Sequence, residues 1–212
     1  QQFDYEENGD DALETGSWSW WGHQGGRPIN FGNLPRPRLP LSNAATALQA
    51  LMQLGMPIQR AQISAGLKAS QLPGRFQKFE QPVRMILDVA HNPHAAGYLA
   101  HQLKQEKVTG SVYALVGMLR DKDCDGIVSA LDTLVDHWAC CDLNANRAMS
   151  AGEIADKIGS FGKSVDQYPD VATGIDATLQ QMKKQDLLVV FGSFYTVGAA
   201  LEWRKLNKKH RN

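Results

Sequence analysis

The chain has 212 residues, 43% of them apolar and 21% charged, and its 22 Lys and Arg balance 22 Asp and Glu. That composition is of an ordinary globular chain, with room for one good core and a smaller appendage. A zero formal charge gives no electrostatic reason to expect a nucleic acid or an anionic membrane as partner, and no apolar run reaches the roughly 18 residues of a membrane span. Cys124, Cys140 and Cys141 are odd in number and contain no C-x-x-C pair, which fits a reducing cytoplasm. The first residues, Gln1 to Asp11, are acidic and polar, unlike a signal sequence. They begin without Met, as though inside a strand, which suggests that upstream sequence is missing.

In chain order, Gln2–Tyr5, Ser17–Trp21 and Ile29–Phe31 read as short strands separated by turn residues, a small β-hairpin appendage with little core of its own. Ser42 or Asn43 offers an N-cap to a helix over Ala44–Leu54 that Gly55 closes, and a second helix follows over Gln59–Ala69. Leu72-Pro73-Gly74-Arg75 then interrupts regular structure and reads as a linker. Beyond it, apolar runs at Met85–Val89, Val112–Met118, Trp138–Leu143, Ser164–Gln167 and Leu187–Phe191 alternate with amphipathic segments at Pro93–Lys107, Gly126–Val135, Ala151–Ile158, Val171–Lys184 and Phe194–Leu206. That rhythm predicts an α/β domain of Rossmann-like architecture over 72–212, a mostly parallel sheet with helices on both faces. The basic tail of Lys205, Lys208, Lys209 and Arg211 reads as a solvated helix end.

Ligands of open α/β sheets bind beyond the carboxyl ends of strands, which singles out three places. Asp88-Val89-Ala90-His91-Asn92-Pro93-His94 places a carboxylate and an imidazole beside a helix start with Asn92 as cap and Pro93 at N1. The same residues also fit a structural role, with Asp88 satisfying backbone donors. Asp88, His91 and His94 lack metal-ligand spacing, so no metal site is expected. Gly192-Ser193-Phe194-Tyr195-Thr196-Val197 presents a hydroxyl at a helix's first turn, where carboxylates bind, or else a plain serine cap. Gly117-Met118-Leu119-Arg120-Asp121-Lys122-Asp123 carries mixed charge. Gly162-Lys163-Ser164 is no phosphate-binding loop, because Lys157 stands where the first glycine is needed. No G-x-G-x-x-G follows a strand either.

These motifs, in order with Leu41-Ser42-Asn43-Ala44-Ala45-Thr46 and Leu72-Pro73-Gly74-Arg75-Phe76, resemble the second half of the bacterial bifunctional dihydrofolate synthase/folylpolyglutamate synthases of the Mur ligase superfamily. The resemblance spans about residues 41–198. It implies an ATP-dependent, ADP-forming ligase that adds L-glutamate to dihydropteroate and to tetrahydrofolate through an acyl phosphate. In the family pattern an upstream ATPase domain carries the P-loop and the Mg2+ ligands, so 1–71 is expected to be the end of that domain and 72–212 the glutamate-binding domain. By the same resemblance Asn43 contacts the adenine, Arg75 reaches the ATP phosphates and Asp88 holds the nucleotide, while His91 and Ser193 position the glutamate. A cytoplasmic monomer, inactive without its upstream part, is the expectation. A peptidoglycan-precursor ligase and a non-catalytic nucleotide or amino-acid binding module are the alternatives, and Lys122 fits either phosphate contact or a surface ion pair.

Overall fold

A computed structural model describes residues 3–8, 16–81 and 83–209, excluding the side chains of Lys208 and Lys209. Gln2 of the first expected strand and Arg211 of the basic tail lie outside the described residues. The chain divides into two compact units, Gln1–Leu72 and Pro73–Asn212.

The first unit has three antiparallel strands and two helices, and its strands are longer than expected. Three strands, β1 (Asp4–Asn8), β2 (Ser17–Gln24) and β3 (Arg27–Pro35), form an antiparallel sheet in the order β1-β2-β3. Alternation along β2 turns Trp18 and Trp20 to one face, and both are fully buried. They pack with Ala45, Leu48 and Met52 of α1 (Leu41–Gln53) and with Ile63 and Leu67 of α2 (Arg60–Ala69). The sheet therefore does have a core, supplied by the two helices that follow it. Each indole N–H is satisfied, that of Trp20 by the Ala45 carbonyl at 3.1 Å and that of Trp18 by the Pro35 carbonyl at 3.0 Å. Helix α1 begins three residues before the expected start. Pro40 occupies the cap position with no side-chain cap, and its carbonyl accepts from the N–H groups of Asn43 and Ala44. Asn43 is thus an exposed first-turn residue, and neither it nor Ser42 is the cap.

The second unit is an α/β fold. Its six-stranded sheet runs β4 (Gln77–Phe79), β5 (Met85–Asp88), β9 (Leu187–Phe191), β6 (Val112–Val116), β7 (His137–Cys141), β8 (Val165–Tyr168). All neighbours are parallel except β4, a short antiparallel edge strand absent from the sequence reading. Strands β5 and β9 are buried along their whole length, as continuous apolar runs between two helical layers should be. Crossovers from β5 through β8 move in one direction and the return to β9 in the other. Right-handed connections then place α3 (Pro93–Gln105), α4 (Cys124–Leu131) and α5 (Ala151–Gly159) on one face and α6 (Val171–Gln181) on the other, where α7 (Phe194–Lys209) packs beside it. The contacts agree, since α3 meets α4, α4 meets α5, and α6 meets α7. Met85, Leu87, Leu115, Leu188 and Val190 pack with Val171, Ile175, Val197 and Trp203 on the α6–α7 side.

The helices begin where polar side chains satisfy free N–H groups. Asn92, Asp123 and Asp170 cap α3, α4 and α6, so α4 starts two residues before the expected Gly126. Ser150 and Glu153 form a capping box at α5, where Glu153 also accepts from Arg120 at 2.9 Å. The Arg120 hydrogen bond, followed by those from Ser150, holds the Glu153 carboxyl down from 4.5 to about 2. A carboxyl depressed on folding contributes stability above its ordinary range and loses it as pH falls toward the folded value. The difference in urea midpoint between the wild-type chain and Glu153→Gln is therefore expected to be constant above about pH 4.5 and to close between there and about pH 2. A difference that persists unchanged to about pH 2 would remove the carboxylate from this account.

The three cysteines are free and buried, and burial pushes Cys124 up to about 11 and Cys140 and Cys141 up to about 12. They are inert core residues near neutral pH. No helix among the described residues is long and apolar enough to cross a membrane.

Candidate active site at the carboxyl ends of β5 and β9

Strands β5 and β9 lie side by side, with Asp88 opposite Phe191 in register. The segments that follow them, Asp88–Pro93 and Gly192–Val197, consequently emerge at the same sheet end. Segment 73–76 joins them. The Val89 N–H donates to the Gly74 carbonyl at 2.8 Å, and a β-carbon on Gly74, whose φ is +69°, would lie 2.6 Å from Val197 and 3.1 Å from Val89.

Asp88 is 8% exposed, and each carboxylate oxygen is engaged by the backbone: Oδ2 accepts from the Phe76 N–H and Oδ1 from the Ala90 N–H, both at 2.7 Å. Burial pushes its carboxyl up from the ordinary aspartate value, opposed by the two N–H donors and by the nearby Arg75 guanidinium. Phe76 needs this anchor, because it holds a φ of +42° as a non-glycine residue. Asp88 therefore fixes the shape of the segment carrying Arg75.

Arg75 is half-buried, with its guanidinium carbon 5.8 Å from the centre of the Phe194 ring, and it forms no salt bridge among the described residues. His91 lies on the same ring's flank, its imidazole centre 6.3 Å away. Its Nδ1 meets the Val89 carbonyl oxygen at 2.8 Å. A carbonyl can only accept, so Nδ1 carries a proton, and in the neutral imidazole Nε2 is the nitrogen with the lone pair.

Ser193 faces inward. It is 4% exposed, and its Oγ accepts from the Thr196 N–H at 3.1 Å as the cap of α7. The Thr196 hydroxyl donates to the Gly117 carbonyl at 2.6 Å, so the 2.7 Å contact between the two hydroxyls is a donation from Ser193 to Thr196. This chain of hydroxyls ties the ends of β9 and β6 together and spends the serine proton internally. What the turn offers outward is the start of α7, where the N–H groups of Phe194 and Tyr195 have no partner among the described residues. Lys122 pairs with Asp121 at 2.9 Å, and no group of three or more His, Cys, Asp or Glu among the described residues could hold a metal ion.

Arg75, Asp88, His91 and Ser193 thus share one end of one sheet, with Phe194 and Thr196 as partners that the sequence reading left without a role. Asn43 belongs to the first unit. That unit also has a concavity of about 680 Å3, lined by Asp4, Trp21, His23, Ile29 and Asn30 among others.

Residues 74–194, more than half of the chain, match the family described as Mur ligase, glutamate ligase domain. The chain belongs to the Mur ligase family. Among its relatives, the dihydrofolate synthase/folylpolyglutamate synthase of Escherichia coli K12 is 42% identical over 170 residues, covering 80% of this chain and 39% of that protein. The protein of the same name from Haemophilus influenzae is 33% identical over 201 residues, covering 85% and 45%. The structure of E. coli FolC in complex with DHPP and ADP superposes with a TM-score of 0.82 at 34% identity over 96% of this chain and 46% of that one. A bifunctional folylpolyglutamate synthase/dihydrofolate synthase with Mn, AMPPNP and L-glutamate bound gives a TM-score of 0.79 at 41% identity over 89% and 44%. This Mur ligase chain spans less than half the length of these relatives.

Proposed function

We propose that the chain is the glutamate-receiving part of a longer, cytoplasmic and monomeric ADP-forming ligase that adds L-glutamate to dihydropteroate and to reduced folates. The observation that carries this reading is the grouping of Arg75, His91 and the start of α7 at one sheet end in a chain of this family. A relative solved with AMPPNP, Mn and L-glutamate supports the ligand set.

The residues present fit such ligands. Two unpartnered N–H groups at the start of the 16-residue α7 suit a substrate carboxylate, and the helix dipole adds to the attraction. His91, with its proton fixed on Nδ1, offers Nε2 as an acceptor for the glutamate ammonium. Arg75, without a salt bridge, is available for phosphoryl charge, and Asp88 serves the nucleotide by holding the arginine-bearing segment in shape. Ser193 acts by capping α7 and so aiming its N–H groups. ATP supplies the activation of the folate carboxylate as an acyl phosphate, and Mg2+ ligands belong to the amino-terminal part of the family pattern. Residues 1–71, with Asn43 as an adenine contact, complete that part.

The test is glutamate incorporation and ADP release by the full-length protein read from the gene. Arg75→Ala is expected to lower kcat by about 100-fold or more, as loss of a donor to transition-state charge does. His91→Ala should act mainly on the KM for glutamate. The 212-residue chain alone should give no turnover. Normal activity of Arg75→Ala, turnover by the isolated chain, or acceptance of a muramyl substrate but not dihydropteroate would each overturn the reading.

A further inference from the structure

We infer that Phe194 is a positioning residue of the reaction, an aromatic platform that sets Arg75 and His91 relative to one another; this rests on the function proposed above. Three segments distant in sequence converge on this ring: the 73–76 segment through the Arg75 guanidinium, the β5–α3 turn through the His91 imidazole, and α7, which carries the ring itself. The ring is 64% exposed, so core packing does not explain its place, whereas the neighbouring Val197 and Ala200 are buried in the α6–α7 core.

An aromatic face carries negative charge density and attracts a guanidinium within about 6 Å of its centre. Arg75 has no carboxylate partner among the described residues, and Asp88, the nearby acid, is occupied by backbone N–H groups. The ring is thus the aromatic face within cation–π range of the Arg75 charge. It holds the cation at the site without neutralising it, as a carboxylate would, so the full charge remains for an incoming phosphoryl group. His91 is also held by the Val89 carbonyl, and Phe194 is the ring that both functional side chains share.

The experiment compares Phe194→Leu, which keeps apolar bulk without the aromatic face, with Phe194→Trp, which keeps the face, in the full-length ligase. Phe194→Leu is expected to lower kcat by about 5- to 30-fold with little change in the KM for ATP, and Phe194→Trp to restore most of it. In an Arg75→Gln background, which removes the cation, Phe194→Leu should add less than about twofold, because its effect on kcat passes through the Arg75 charge. Thermal unfolding should be the same for all Phe194 variants, since the ring is exposed. Wild-type kcat in Phe194→Leu, failure of Phe194→Trp to rescue, or losses that multiply in the double variant would overturn the inference. If Arg75→Ala is inactive while Phe194→Leu is normal, only this inference fails. If Arg75→Ala is fully active, the site reading fails with it.

Discussion

Asp88→Ala is expected to destabilise the second unit by about 2–5 kcal/mol, because it strands two buried backbone donors at once. The Phe76 and Ala90 N–H groups both lose their acceptor, and neither lies where water can replace it without opening the segment. Phe76 would also lose the contact that holds its left-handed backbone, so the cost falls on the segment bearing Arg75 as well as on the sheet. Asp88→Asn keeps one acceptor oxygen and should cost roughly half as much. Amide hydrogen exchange of β5 and β9 measures this unit directly, whereas a global unfolding curve mixes two units. A loss below about 1 kcal/mol would mean that Asp88 is not the anchor of this turn.

Gly192→Ala carries the second large effect. At a φ of +114° an L-residue is strained, and the added carbon would sit 2.5 Å from the Gly117 carbonyl oxygen and 3.0 Å from Val116. Backbone strain and overpacking together predict a cost of about 2–5 kcal/mol. The same carbonyl accepts from Thr196, so relief of the clash would break the hydroxyl chain that joins β9 to β6. Gly198→Ala is the internal control: it lies within α7 with open space around it and should be neutral or slightly stabilising. Equal stability of the two variants by amide hydrogen exchange of β9 would refute the steric argument.

Strands β5 and β9 were legible in the sequence because burial on both faces leaves an unbroken apolar run. Helix α3 was legible because Asn92-Pro93 marks its start. Strand β4 was not. Gln77–Phe79 is three residues long and only partly buried, and it is a strand by virtue of pairing with Met85–Leu87. The core under Trp18 and Trp20 was missed for a related reason, since the residues that cover it come from α1 and α2. The start of α1 was misread because Ser42 and Asn43 are good caps by type, yet Pro40 supplies the turn with its carbonyl alone. At the site, strand ends pointed to Asp88, His91 and Ser193. The parts of Phe194 and Thr196 depend on β9 lying between β5 and β6, a tertiary fact that no local pattern encodes.

That insertion sets an order of events for a growing polypeptide. The ninth strand fills a slot whose two walls are made about 70 to 100 residues earlier, so until residue 191 has left the ribosome β5 and β6 have no common neighbour. The stretch from Leu187 onward is the keystone of the arch, and a nascent chain that stops short of it leaves two half-sheets with bare edges instead of a smaller version of the domain.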